Sequence, residues 1–275
     1  MTYQAVREIE VRGRATIFGD VHGKISALER ILAARDVERD FDRGGHDLIF
    51  VGDLVDRGPR EECAGRMVFT GVEAVMDRVL GLQRRRPDRV HCVAGNHELM
   101  HVRDIEQRKL AAGAFSQWGG QGTLTLTAER IEFLRLLPLV LLVRGLAERA
   151  VVVHGGPPSV PGALANLRDA PDLLTAHDRG RAGRELLWSN PAWSRGSHHI
   201  EYAYTRADVA AFLDAHGADY LFRGHRDEPE SLVMPGARRY ICVHTAQGER
   251  HTDDAASGST HIEWDPPAGP RLVKL

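Results

Sequence analysis

Short apolar, β-branched runs recur along this chain, each closed by a glycine or a polar residue. Arg14 to Phe18, Leu48 to Val51, Val90 to Ala94, Ala150 to Val153, Tyr220 to Phe222 and Tyr240 to Val243 are such runs. Their continuous hydrophobicity predicts strands buried on both faces. Helical spacing lies between them. Ile25, Leu28, Ile31 and Leu32 share one helix face, and Pro59 to Arg86 reads as a longer amphipathic helix with a break at Gly71. Thr127 caps a further helix that ends near Pro138. Thr205 with Asp208 makes a capping box and Gly217 a stop, which predicts a helix from Arg206 to His216. This alternation argues an α/β chain. After Gly248 the chain turns polar, with a mobile loop expected at Asp253 to Ser259 and an extended tail set by Pro266, Pro267 and Pro270.

A length of 275 residues and 43% hydrophobic content suit a single domain over 1–275, with a motif-bearing core at about 14–245 and a loop and tail at 249–275. The net charge of −2 gives no basic field to draw nucleic acid, and Arg84-Arg85-Arg86 reads as a solvated helix end. Lysine occurs only at Lys24, Lys109 and Lys274, so arginine carries the positive charge, and guanidinium favours two-point phosphate contacts. Cys63, Cys92 and Cys242 lack close spacing and are expected to be reduced. No signal-like segment opens the sequence, and no apolar run approaches the ~20 residues of a membrane helix. The expectation is a cytoplasmic protein with no membrane or nucleic-acid partner. Oligomeric state is left open.

The polar residues that close the apolar runs change the picture. Gly19-Asp20-Val21-His22-Gly23, Gly52-Asp53-Leu54-Val55-Asp56-Arg57-Gly58 and Gly95-Asn96-His97-Glu98 each follow such a run, as do His154-Gly155-Gly156 and Arg223-Gly224-His225. In α/β sheets, sites collect at the carboxyl ends of strands. Any one of these residues alone reads as turn chemistry. Six ligand-type residues at five strand ends read as a metal centre: Asp20, His22, Asp53, Asn96, His154 and His225. Mixed nitrogen and oxygen ligation suits manganese, iron or zinc.

GDxHG, GDxVDRG and GNHE in this order, followed by His154-Gly155-Gly156, Leu187-Trp188-Ser189-Asn190-Pro191 and Arg223-Gly224-His225, resemble the calcineurin-like metallophosphoesterases, and among them the bacterial phosphoprotein phosphatases. The match covers about residues 14–245, with Asn190 standing where the family has Asp. The resemblance implies a central β-sandwich of mixed sheets flanked by helices, with the metals at the C-terminal ends of strands. Asp20, His22 and Asp53 would hold one divalent ion, and Asp53, Asn96, His154 and His225 a second, expected to be Mn2+ with iron or zinc as alternatives. Many relatives carry a second histidine where Asp227 stands here; Asp227 is not expected to reach the metal.

The implied activity is hydrolysis of phosphoserine or phosphothreonine monoesters, with phosphotyrosine as a further candidate, by a hydroxide activated between two metals. His97 would protonate the leaving oxygen, Asp56 would orient His97, and Arg57 would clamp phosphate oxygens, with Arg195 in Arg195-Gly196 as the second clamp. His244 ends a strand near the expected site, whereas His198 and His199 fall in a polar loop. The alternatives are diadenosine tetraphosphate hydrolysis and phosphodiester cleavage. Relatives of the first kind usually lack the aspartate that is Asp56 here, and those of the second keep the histidine that Asp227 replaces. A scaffold without activity would have lost ligands or the acid. The expected partner is a phosphorylated protein or peptide.

Overall fold

The computed structural model describes residues 2–63, 66–69, 71–106, 127–145, 147–160, 162–193, 202–246, 258–265 and 268–275. In chain order the strands are β1 (Val6–Glu10), β2 (Arg14–Phe18), β3 (His46–Phe50), β4 (Arg60–Cys63), β5 (Arg66–Phe69), β6 (Val90–Cys92), β7 (Val140–Arg144), β8 (Arg149–Val152), β9 (Asn190–Pro191), β10 (Ala203–Tyr204), β11 (Tyr220–Arg223), β12 (Glu230–Val233), β13 (Arg239–Cys242), β14 (Thr260–Asp265) and β15 (Gly269–Lys274). The α-helices are α1 (Ile25–Ala33), α2 (Val37–Asp42), α3 (Gly71–Arg85), α4 (Asn96–Glu106), α5 (Ala128–Arg135), α6 (Leu173–Asp178), α7 (Arg181–Trp188) and α8 (Arg206–Ala215).

Two mixed sheets carry the architecture. One has the order β1-β7-β8-β11-β13-β12 and the other β15-β14-β2-β3-β6. Side-chain alternation along each strand explains how they pack. Ile17, Ile49, Val152, Phe222, Ile241 and Val243 point into a shared core between the sheets. Phe18, Leu48, Phe50, Val151, Leu221 and Tyr240 point the other way, into cores that include α1, α3 and α8. Both faces are therefore buried, which is why these strands read as unbroken apolar runs.

Parallel pairing gathers the site. β2, β3 and β6 are mutually parallel neighbours, with Phe18 opposite Phe50 and Phe50 opposite Cys92. β8, β11 and β13 form a second parallel set. The residues after each strand therefore emerge on one edge of its sheet. Cross-links join the two edges: Gly19 N–H donates to Thr245 Oγ1 at 2.8 Å, and Ala246 N–H to Asp20 O at 2.9 Å.

Several expected elements take their expected form. Thr127 Oγ1 accepts the Arg130 N–H, and the Thr205–Asp208 capping box is complete at the start of α8. One expectation is corrected. The helix expected from Pro59 begins only at Gly71, and β4 and β5 form an antiparallel pair before it. Gly71 abuts the backbone of Gly23, where a Cβ would overlap the Gly23 carbonyl. A helix can start there only without a side chain.

The tail is extended, as expected, while most of the loop expected at Asp253 to Ser259 lies outside the described residues. The tail is a hairpin in which β14 pairs antiparallel with β2, adding two strands to the second sheet. Trp264 anchors it, 1% exposed and 5.6 Å edge-on from Phe222, with its indole N–H donating to Glu148 at 3.1 Å. Cys92 and Cys242 are buried free thiols. No helix among the described residues is long and apolar enough to cross a membrane.

Candidate active site

The site is built on backbone that most side chains avoid. His22, Asp53, Asp56, Arg57 and His225 all have positive φ, between 47° and 65°. Such conformations cost energy and gather where function over-determines the geometry. Asp and His accept them more readily than bulkier residues. The loop after β2 is tied to the loop after β3, since Val21 and His22 donate their N–H groups to Asp53 O at 3.0 and 2.9 Å.

Glu98 is the internal strut. It is fully buried, and its two oxygens accept four backbone N–H groups: Asp53 and Gly95 at 2.8 Å on Oε2, Leu54 at 2.8 Å and Val55 at 3.2 Å on Oε1. This concave nest of amides around a carboxylate fixes the turn that presents Asp53. Burial, with Asp53 nearby, raises the Glu98 pKa, and the amide donors work against that rise.

Two histidines are oriented in the same manner. His22 Nδ1 meets Val55 O at 3.0 Å and His154 Nδ1 meets Val51 O at 2.9 Å. Each carbonyl selects the tautomer with Nδ1 protonated and Nε2 as the free donor, the arrangement metal-ligating histidines use. His22 Nε2 is buried, has no hydrogen-bond partner among the described residues and lies 3.6 Å from Asp53 Oδ2. His154 Nε2 lies 3.4 Å from Asp53 Oδ2, 2.9 Å from Asn96 Oδ1 and 3.2 Å from His225 Nδ1, and Asn96 Oδ1 is 3.0 Å from His225 Nδ1.

Donor atoms of Asp53, His154 and His225 thus fall within 4.8 Å of one another, as do those of His22, Asp53 and His97. The two clusters share Asp53. The orphaned His22 nitrogen with Asp53 on one side, and Asp53 with His154 and His225 on the other, fit cation binding around Asp53, whereas His97 in the first trio is a charged imidazole. Asp20 lies outside both trios. Its two oxygens accept the His225 N–H at 3.0 Å each, and Oδ2 is 3.6 Å from His244 Nδ1.

Electrostatics follow this packing. Burial drives His22 down to about 4 and His225 down to about 3, with His154 and Arg223 adding to the second shift. Both imidazoles are thus kept neutral, as a ligand must be. Asp20 is held at about 2 and Asp53 well below the ordinary range; burial opposes both shifts, and His244 and His154 respectively lead the effects that overcome it.

Against burial, Asp53 raises His154 and Asp56 raises His101, and the two carboxylates together raise His97 to about 9. His97 Nδ1 donates to Asp56 Oδ2 at 2.8 Å, and its Nε2 faces Asp53 Oδ2 at 3.9 Å. Asp56 is 1% exposed, and its other oxygen accepts from His101 Nε2 at 2.8 Å. Arg57 lies 3.7 Å from Asp227, and His244 Nε2 lies 3.8 Å from the same carboxylate. Arg223 is fully buried and turned toward the Tyr240 hydroxyl and the Ser189 carbonyl, each at 3.4 Å.

The structure brings the donor atoms of His22, Asp53, Asn96, His154 and His225 together, leaves Asp20 on the His225 backbone outside both trios, and places His97, Asp56 and Arg57 alongside. Arg195, His198 and His199 lie outside the described residues. Glu98 and His101 are not assigned roles by sequence reading. His101 carried a usable signal, since it stands four residues after His97 on one helix face. Glu98 carried none beyond membership of a motif.

Comparison with known proteins shows the family of the chain. The sequence model of the calcineurin-like phosphoesterase family matches residues 13–228. A probable serine/threonine-protein phosphatase of Encephalitozoon cuniculi is 30% identical over 247 residues, which is 86% of this chain and 48% of that protein. The chain spans about half the length of the first curated relatives it matches.

Among solved structures, a serine/threonine phosphatase of Saccharomyces cerevisiae with similarity to human PP5 superposes with a TM-score of 0.65 at 20% identity, covering 99% of this chain and 83% of that one. A putative diadenosine tetraphosphatase gives a TM-score of 0.52 at 19% identity, covering 99% and 98%. These two show the shared fold. With 13–228 under one family model and that family's motifs gathered where the strand ends of the two sheets meet, the chain belongs to the calcineurin-like phosphoesterases, a metal-dependent family of hydrolases.

Proposed function

We propose that this chain is a phosphoprotein phosphatase that hydrolyses phosphoserine and phosphothreonine monoesters, with phosphotyrosine as a secondary substrate. The carrying observation is the 2.8 Å bond between His97 Nδ1 and Asp56 Oδ2, set directly beside the donor clusters that share Asp53. Asp20, His22 and Asp53 would hold one divalent cation and Asp53, Asn96, His154 and His225 the other, with manganese the first choice and iron or zinc also suited to the donors. Bound there, the cations would neutralise phosphoryl oxygens and lower the pKa of water toward ~7.

The side chains do the rest. Expelling an alkoxide from phosphorus needs a proton at the leaving oxygen. The His97 imidazolium carries one on Nε2, and Asp56 keeps the ring turned so that this nitrogen faces the site. Arg57 would clamp the phosphate oxygens in two places, aided by Arg195.

Diadenosine tetraphosphate hydrolysis is the competing reading, supported by a fold neighbour described as a putative diadenosine tetraphosphatase. The buried Asp56–His97 pair favours monoesters of poor alkoxide leaving groups. A panel of phosphoserine, phosphothreonine and phosphotyrosine peptides against diadenosine tetraphosphate and a bis-aryl phosphodiester separates them. Preferred turnover of the phosphoserine or phosphothreonine peptides supports the proposal, and preferred turnover of either other class replaces it.

A further inference from the structure

Asp56 is held from both sides. Its Oδ2 takes the His97 proton donor and its Oδ1 takes His101 Nε2, both at 2.8 Å. His97 and His101 are one helical turn apart on α4, so their rings reach the same carboxylate from one face. His101 is 2% exposed and Asp56 1% exposed, so water cannot replace either bond. Asp56 itself sits at a φ of 60°, in a turn whose amides Glu98 holds.

We propose that His101 is a positioning residue for the phosphoester reaction: it locks the plane of the Asp56 carboxylate so that His97 presents its Nε2 proton to the leaving oxygen. The proposal rests on the reading of His97 as the proton donor. Without His101, Oδ1 of Asp56 would be a buried carboxylate oxygen with no donor. The carboxylate would then rotate toward other N–H groups or take up a proton, and either change loosens its hold on His97 Nδ1. The loss would appear only where the leaving group needs a proton.

The test uses the full chain loaded with Zn2+, comparing wild type with His101→Leu and His101→Gln. The glutamine amide can donate to Asp56 as the imidazole does. On a phosphoserine peptide, His101→Leu should lower kcat roughly 10–100-fold, the usual cost of losing an outer-sphere partner. On 4-nitrophenyl phosphate, whose leaving group departs as a stable anion, kcat should stay within about twofold. Metal content should be unchanged, and His101→Gln should recover most of the peptide activity.

In proton NMR, the low-field Nδ1–H signal of His97, assigned by its loss in His97→Asn, should persist in wild type and His101→Gln and vanish in His101→Leu. Equal losses on both esters, no loss on the peptide, or an unchanged Nδ1–H signal in His101→Leu each overturn the proposal. A wild-type chain that leaves the phosphoserine peptide uncut sinks the phosphatase reading instead. The NMR signal still decides the role of His101.

Discussion

Glu98 Oε2 accepts the backbone N–H of Asp53 at 2.8 Å and, with Oε1, closes a ring of four amides around one carboxylate. Asp53, the residue common to both donor clusters, is therefore placed by a carboxylate turned toward backbone amides. Glu98→Gln keeps the volume but turns an amide NH2 toward amide donors. Hydrogen bonds to a charged acceptor contribute about 1.5–3 kcal/mol each. Unfolding in denaturant should show a loss on the order of 3 kcal/mol, and calorimetric titration should show weaker metal binding.

Asp53 and His97 should separate metal binding from chemistry. Asp53 belongs to both donor clusters, so Asp53→Asn should remove metal and activity together. His97→Asn should keep metal content, read by elemental analysis, and cut turnover of alkyl phosphates by roughly 10²–10⁴, the usual worth of a positioned acid. Unchanged turnover of poor leaving groups in His97→Asn would remove His97 from that role.

Trp264 tests whether the C-terminal hairpin is part of the core. It packs against Phe222 and Tyr220 at 5.6 and 6.1 Å between ring centres. Trp264→Ala should cost about 3–5 kcal/mol in equilibrium unfolding, as for other buried aromatics. A cost below about 1 kcal/mol would show that the hairpin is dispensable.

The sequence showed the strand ends better than the sheets. Six apolar runs located the central strands because residues such as Ile49 and Phe50 are buried on opposite faces. Their terminal polar residues located the site. Glu230–Val233 and Thr260–Asp265 escaped because half-exposed or polar strands carry weaker periodicity, and the antiparallel pairing of β14 with β2 joins residues some 245 positions apart, as His261 with Phe18. The stretch from Arg60 to Phe69 resembled a helix start until Gly71 met the Gly23 carbonyl. The amide ring around Glu98 could not be read at all, because it depends on backbone direction rather than residue type.

His46 gives a pH signature away from the site. Its Nε2 meets Thr16 Oγ1 at 2.8 Å, and burial, with Arg14 beside it, lowers its pKa to about 4. Between about 6.5 and about 4, the unfolded chain takes up a proton here that the folded chain refuses. Stability from this group is therefore complete above about pH 6.5 and is lost as pH falls toward 4, by up to about 3 kcal/mol. Relative to His46→Gln, the wild type should lose stability over this window, measured by denaturant midpoints. A pH-independent difference would contradict the assignment.

The most direct measurement is a Mn2+ titration of the metal-stripped chain, following hydrolysis of a phosphoserine peptide alongside metal stoichiometry. Turnover should be absent without cation and should rise to saturation at two ions per chain. Full turnover in the stripped chain, or a single ion at saturation, would contradict the two-cation reading.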